Sequence, residues 1–135
     1  MCYSENIDMR VLIVEDDPIL LKMYREKFEK SDFDVDTAVE GEAGLFKAIN
    51  DQPDFIVLDL MMPKMDGVKA LKKLKEDVRT KNIPVAILTV IPQDQASGLT
   101  KELSDQIVYY WMKDVVKPSG VVEDTKKYLL DTKND

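Results

Sequence analysis

Carboxylates follow two apolar segments of this chain at the points where a buried strand would end. The segment FIVLDLMMPKMDG (55–67) runs from four apolar residues into Asp59, and the acidic run EDD (15–17) follows MRVLIV (9–14). A buried carboxylate is costly unless it is paired or binds a cation. Crowded carboxylates repel one another unless a cation lies between them, and Mg²⁺ binds such oxygens together with phosphate. The pattern therefore favours a magnesium site.

The same residues could also handle a phosphoryl group. A carboxylate such as Asp59 can act as a nucleophile and form an aspartyl phosphate, and the transfer needs mainly positioning and charge neutralisation. Thr89 lies late in IPVAILTV (83–90) and could donate a hydrogen bond to a phosphoryl oxygen. Lys113 follows IVYYWM (107–112) and could pair with another phosphoryl oxygen or with Asp59 itself.

Each of these residues also has a purely structural interpretation. The acidic run 15–17 could form a helix cap and first turn, and Asp17 is the expected cap. Asp59 alone could be a loop residue, Thr89 a β-branched core residue and Lys113 a solvated charge. Their occurrence at the ends of separate apolar segments favours one common site.

Apolar segments and helical patterns alternate five times along the chain. The predicted strands are 9–14, 33–39, 54–59, 83–90 and 107–112, and the predicted helices are 16–31, 40–51, 66–78, 92–105 and 118–131. Continuous apolar strands between helices are typical of a parallel sheet covered on both faces. Ligands of such sheets bind at the carboxyl ends of the strands, where the polar residues fall. We expect one α/β domain over 9–131, with tails at 1–8 and 132–135.

The third and fourth predicted helices differ in strength. The helix at 66–78 is amphipathic and is expected to place Leu71, Leu74 and Val78 inward. Its lysines are interpreted as a solvated face. The helix at 92–105 is weaker because it contains Gly98.

Composition limits the classes of function. The 135 residues carry a net charge of −7, which gives no electrostatic basis for binding a polyanion. Cys2 is the one cysteine, which suits a reducing compartment, and no segment resembles a membrane span or signal peptide. We expect a cytoplasmic protein that binds neither nucleic acid nor membrane.

Four motifs together resemble the receiver domain of two-component response regulators. They are VLIVEDDP (11–18), DFIVLDLMMPKMDG (54–67), PVAILT (84–89) and a lysine ending the fifth strand. The resemblance covers roughly residues 9–131. It implies a (βα)5 flavodoxin-like fold, with a five-stranded parallel sheet in the order 2-1-3-4-5 and helices on both faces.

The resemblance implies an acceptor and a metal site. Asp59 matches the phosphoacceptor. Asp16 matches the principal magnesium carboxylate and Glu15 the accompanying acid. Met61 matches the residue that lends a backbone carbonyl to the metal. Mg²⁺ is the expected ion, and Mn²⁺ is a possible substitute.

The resemblance also implies a switch. Thr89 matches the switch hydroxyl and Tyr110 the switch aromatic, although Tyr110 could simply be a surface or core residue. Pro63 and Gly67 match the turn that leads into the third helix.

The active-site lysine has two candidates. Lys117–Pro118 has the family's usual Lys-Pro dipeptide. Lys113 lies 24 residues after Thr89, close to the family's interval, and Tyr110 precedes it by three. We therefore prefer Lys113. Asp114 follows it in place of proline, which argues against the cis peptide usual there.

The function implied is a stand-alone phosphorylation switch and not an enzyme acting on a separate substrate. The chain has no histidine, so a phosphohistidine donor would be another protein, either a sensor histidine kinase or a phosphotransfer protein. A partner would bind the face formed by the fourth helix, the fifth strand and the fifth helix. The protein would be a monomer or a phosphorylation-dependent dimer.

Three other functions are weighed against this one. The first is a pseudo-receiver, a constitutive interaction module that needs no phosphate. The second is a phosphatase with an aspartyl-phosphate intermediate, which is opposed because no second aspartate lies two residues after Asp59. The third is a flavin carrier, whose phosphate the acidic run 15–17 would repel.

Overall fold

The computed structural model describes residues 9–62 and 65–133. The strands are β1 (Arg10–Val14), β2 (Asp34–Ala38), β3 (Phe55–Leu58), β4 (Val85–Thr89) and β5 (Ile107–Met112). The helices are α1 (Pro18–Lys30), α2 (Gly41–Asp51), α3 (Gly67–Glu76), α4 (Lys101–Ser104) and α5 (Pro118–Lys133). A short 3₁₀ turn (Gln93–Gln95) precedes α4. The predicted tail at 1–8 and residues 134–135 lie outside the described residues.

The strands form one parallel sheet in the order β2-β1-β3-β4-β5. The register places Val14 beside Leu58, and Thr89 beside Met112. The residues that follow these strands therefore emerge at one edge of the sheet. The predicted fold class and strand order are confirmed.

Both faces of the sheet are covered, which explains the continuous apolar strands. Leu12 and Ile56 face a core that α2, α3 and α4 close, whereas Val11 and Phe55 face a second core under α1 and α5. These four side chains are at most 1% exposed. Alternate residues of each central strand thus face opposite cores. No described helix combines the length and apolar character needed to cross a membrane.

The helix starts follow the local sequence. Asp17 caps α1 by accepting the backbone N–H of Ile19 at 2.9 Å, and Pro18 occupies the first turn. Asp66 caps α3 in the same way through Lys69 N–H at 2.8 Å. Pro118 begins α5, as predicted. The caps fix where the chain turns away from the edge that carries the acidic residues.

Two helix predictions were wrong. The fourth helix was expected over 92–105, but α4 contains only Lys101–Ser104, and Gly98 has a φ of +84° that interrupts helical backbone. Val78 was expected to face the core. Because α3 ends at Glu76, Val78 lies beyond the helix and is 76% exposed.

Candidate functional site

Three carboxylates converge at the carboxyl edge of the sheet. Glu15 follows β1 and Asp59 follows β3, and the Asp59 N–H donates to Val14 carbonyl oxygen at 3.0 Å across these neighbouring strands. Glu15 and Asp59 are buried, with 3% and 4% exposure, whereas Asp16 is exposed. One oxygen from each of the three carboxylates lies within 4.8 Å of the others. The structure thus brings together the three acids that the sequence placed in one site.

Lys113 supplies the positive charge of this cluster. It follows β5, and its Nζ lies 2.9 Å from Asp59 Oδ2 and 2.5 Å from Glu15 Oε1. Its side chain is 14% exposed. One ammonium therefore joins two buried carboxylates, which offsets part of the cost of burying them.

Burial and pairing act in opposite directions on the pKa values of these groups. Burial raises the pKa of Glu15, although the hydrogen bonds from Lys113 and from Asp17 N–H oppose the rise. Burial would lower the pKa of Lys113, but its hydrogen bonds to Glu15 and Asp59 outweigh burial and raise that pKa. The lysine is therefore a stable cation at neutral pH.

Lys117 does not lie in the cluster. Its side chain is exposed, and its carbonyl oxygen accepts the Val121 N–H at 3.2 Å in the first turn of α5. The Lys113–Asp114 peptide is trans. The geometry thus places Lys113, and not Lys117, beside Asp59, while the chemical role of Lys113 stays a prediction.

Replacing Lys113 is expected to destabilise the protein, because Glu15 and Asp59 then stay buried without a counter-charge. We expect Lys113→Met to lower the free energy of unfolding by about 3 kcal/mol near pH 8. Loss of the ammonium raises the Glu15 pKa further, so the deficit should shrink towards about pH 5 as that carboxylate binds a proton. Urea denaturation at both pH values measures the effect.

Lys117→Met is the matched control and should leave the free energy of unfolding unchanged. An equal loss in the two variants, or no loss for Lys113→Met near pH 8, would contradict the assignment of the buried cation.

Thr89 and Tyr110 both contact the backbone of Ile91. Thr89 is fully buried, and its Oγ1 accepts the Ile91 N–H at 3.4 Å. The Tyr110 hydroxyl donates to the Ile91 carbonyl oxygen at 2.5 Å. The Tyr110 pKa is raised by burial and by the nearby carboxylates of Asp59 and Asp94. One residue thus links the two predicted switch side chains, a link with no signal in the sequence because only backbone atoms of Ile91 take part.

Met61 and Gly67, which follow Asp59 in the chain, both lie close to it. The Met61 N–H donates to Asp59 Oδ1 at 3.1 Å, and the Met61 side chain is 56% exposed. The Gly67 N–H donates to Leu60 carbonyl oxygen at 2.8 Å. A Cβ on Gly67 would lie only 2.2 Å from Asp59 carbonyl oxygen, so this position requires glycine. Pro63, the other predicted turn residue, lies outside the described residues.

The donor set suits a hard divalent cation. Glu15, Asp16 and Asp59 offer only carboxylate oxygens, the ligand type that Mg²⁺ prefers. Asp16 is exposed at the edge of the cluster, which leaves a path for an ion and its waters. Lys113 neutralises only part of the negative charge.

Comparisons with known proteins identify related sequences. The response regulator receiver domain family matches residues 11–122. The DNA-binding dual master transcriptional regulator RpaA of Synechocystis sp. is 43% identical over 100 residues, which cover 73% of this chain and 42% of that protein. Response regulator PleD of Caulobacter vibrioides is 31% identical over 128 residues, which cover 87% of this chain and 28% of that protein. The chain thus spans less than half the length of these two relatives.

Solved structures agree on the fold. A CheY-like receiver domain protein from Methanospirillum hungatei superposes with a TM-score of 0.83 at 24% identity, covering 95% of this chain and 98% of that one. The receiver domain of Francisella response regulator 1452 gives a TM-score of 0.78 at 27% identity, covering 93% and 99%. The chain belongs to the response regulator receiver domain family.

Proposed function

We propose that this chain is a phosphorylation switch in which Asp59 accepts a phosphoryl group from a phosphohistidine donor. The observation that carries the proposal is the setting of Asp59 at the carboxyl edge of β3. Its carboxylate lies 2.9 Å from Lys113 Nζ and within 4.8 Å of oxygens of Glu15 and Asp16. The chain acts on itself and has no separate substrate to convert.

The transfer is a displacement at phosphorus. A carboxylate oxygen of Asp59 forms a bond to phosphorus while the phosphorus–nitrogen bond of the donor breaks, and the departing imidazole takes a proton from solvent. Lys113 then turns its ammonium from Asp59 Oδ2 to a phosphoryl oxygen. The shift is short because Lys113 already touches the acceptor.

Glu15, Asp16 and Asp59 would hold a Mg²⁺ ion, with Mn²⁺ as a substitute and the Met61 carbonyl as a further ligand. The ion supplies neutralisation of the negative charge that the carboxylates and the incoming phosphoryl group share. Glu15 keeps its bond to the Asp17 N–H at 3.0 Å, which fixes the orientation of that carboxylate.

The switch works through Ile91. When the Thr89 hydroxyl turns to donate to a phosphoryl oxygen, the Ile91 N–H loses its acceptor and the Ile91 backbone is free to move. The Tyr110 hydroxyl is hydrogen-bonded to the Ile91 carbonyl oxygen, so the Tyr110 side chain moves with the Ile91 backbone. The face of α4, β5 and α5 then changes, and a partner protein binds one of its two forms.

The donor is a second protein, a sensor histidine kinase or a phosphotransfer protein, since the chain contains no histidine. Two exposed apolar side chains lie close in sequence to the acidic run 15–17 and to Lys113. Ile19 in the first turn of α1 and Val115 shortly after Lys113 are each 78% exposed. They offer a docking protein exposed apolar area to bury.

The test is incubation of the full chain with magnesium and acetyl phosphate, followed by intact mass and peptide mapping. We expect a gain of one phosphoryl group on the peptide that contains Asp59. Beryllofluoride should shift NMR signals around Thr89 and Tyr110. A folded protein that gains no mass and shows no shift would refute the proposal and favour a constitutive interaction module.

A further inference from the structure

Lys75 is a half-buried lysine that the proposed reaction does not use. It lies in the last turn of α3, where Lys72 and Lys73 are exposed. Its Nζ donates to the carbonyl oxygen of Lys81 at 3.1 Å and to that of Ile83 at 2.8 Å. Both carbonyls belong to the segment between α3 and β4. Lys75 thus joins the end of a helix to the start of the next strand through two hydrogen bonds.

The Lys75 amine has acceptors but no opposite charge. Within residues 9–62 and 65–133 its partners are the two carbonyl oxygens, and no carboxylate pairs with it. Burial lowers the pKa of Lys75, because the ammonium loses more hydration than the neutral amine does. A neutral lysine amine is a nucleophile, whereas the ammonium is not.

Lys75 also lines an open groove between α3 and α4. The groove has a volume of about 210 Å³, and Gly98, Thr100 and Leu103 line it from the other side. A single water needs only roughly 10–15 Å³ of such volume, so an acyl group of a few atoms fits. The charged side chains that line the groove beside Lys75 are Lys72, Glu76 and Glu102.

The hydrogen bonds leave one position of the nitrogen unused. An ammonium has three N–H groups, and the carbonyls of Lys81 and Ile83 take two of them. A neutral amine therefore keeps both hydrogen bonds and has its lone pair in the third direction. Because Lys75 lines the groove, an electrophile in the groove has access to this amine.

We propose that Lys75 is a site of acylation, with an acyl phosphate or a thioester as the acyl donor. The amine nitrogen forms a bond to the carbonyl carbon of the donor. The bond from that carbon to the phosphate oxygen or thiolate sulfur breaks, the leaving group takes the electron pair, and the nitrogen loses a proton to water. The product amide has one N–H, so it releases one of the two carbonyls. The proposal does not rest on phosphorylation of Asp59.

The first test compares two lysines of one helix in the full chain. A limiting amount of p-nitrophenyl acetate, a neutral acetyl donor, is added at pH 7, and tandem mass spectrometry of the α3 peptide gives the acetyl content of each lysine. We expect at least about threefold more acetyl on Lys75 than on Lys73, because burial increases the neutral fraction of Lys75. Lys73 is the matched control, since it is exposed on the same helix.

The pH dependence separates reactivity from access. Both amines become neutral above about pH 10.4, so the ratio of acetyl on Lys75 to that on Lys73 should fall as the pH rises from 7 towards that value. In urea the unfolded chain should give a ratio near one at each pH. Equal labelling of the folded protein at pH 7, or a ratio that does not change with pH, would overturn the inference.

The donor class is tested in two further incubations, one with acetyl phosphate and one with acetyl-coenzyme A. Preferential acetylation of Lys75 by either compound supports the proposal and identifies the donor, whereas a folded protein that neither compound acetylates at Lys75 refutes it. The outcome is independent of the proposed function. A protein that gains acetyl on Lys75 but no phosphoryl group from acetyl phosphate would refute the phosphorylation switch and leave the acylation site standing.

Discussion

Asp59→Asn is expected to abolish phosphoryl uptake from acetyl phosphate. The amide keeps the shape of the side chain and an oxygen that can accept from Lys113, but it lacks the negatively charged oxygen that attacks phosphorus. Asp59 is buried between Val14 and Lys113, so asparagine occupies the same place in a folded protein. Intact mass after incubation with magnesium and acetyl phosphate should show no added phosphoryl group.

Asp17→Asn is the control for the loss of one negative charge close to the site. Asp17 lies in the acidic run but caps α1 through Ile19 N–H, and asparagine caps equally well. We expect this variant to take up phosphate as the wild type does. Uptake by Asp59→Asn at the wild-type level, or its loss in both variants, would contradict the assignment of Asp59 as the acceptor.

The fold was predictable because both faces of the sheet are buried. Val57 and Leu58 face opposite cores and both are apolar, so each central strand appears in the sequence as an unbroken apolar segment. Such segments end at the carboxyl edge of the sheet, and that is where Glu15 and Asp59 lie. The strand order itself came from the family resemblance and not from the apolar pattern.

The fourth helix was not predictable from periodicity. Ala96, Leu99 and Leu103 recur at helical spacing, and all three pack against the core on that side of the sheet. The structure satisfies this spacing with a loop and one helical turn, because Gly98 takes a positive φ and Thr100 caps a new helix start through Leu103 N–H. Apolar spacing indicates which residues are buried, but it does not determine the backbone conformation between them.

The members of the site were predictable, but the bonds among them were not. The residue types and intervals pointed to Glu15, Asp16, Asp59 and Lys113. The link through Ile91 depends on backbone atoms, which residue identity does not encode.

Gly67→Ala is expected to damage both stability and phosphoryl uptake. An added Cβ would lie 2.2 Å from the Asp59 carbonyl oxygen and 2.4 Å from Leu60 Cα. Both are backbone atoms, so no side-chain rotation relieves the overlap, and either α3 or the segment after β3 must move. We expect a loss of about 3 kcal/mol in the free energy of unfolding, at the upper end for overpacking.

The same displacement moves the acceptor. Two backbone hydrogen bonds hold Asp59 in place: its own N–H donates to the Val14 carbonyl oxygen, and the Gly67 N–H donates to the carbonyl oxygen of the next residue, Leu60. A shift of Gly67 therefore tilts the Asp59 carboxylate away from Lys113. Because a misplacement of about 1 Å costs transfer rates roughly a hundredfold, uptake from acetyl phosphate should fall by at least about tenfold in the fraction that stays folded.

Gly120→Ala is the matched control, since it adds the same methyl group to another helical glycine. Its Cβ would meet Val116 Cγ2 at 3.6 Å, an ordinary contact, and alanine within α5 should stabilise the protein by up to about 1 kcal/mol. Urea denaturation and the uptake rate decide the outcome for both variants. A Gly67→Ala protein with wild-type stability and uptake would show that the chain after Asp59 is free to shift, and that the close approach of α3 to β3 does not hold the acceptor in place.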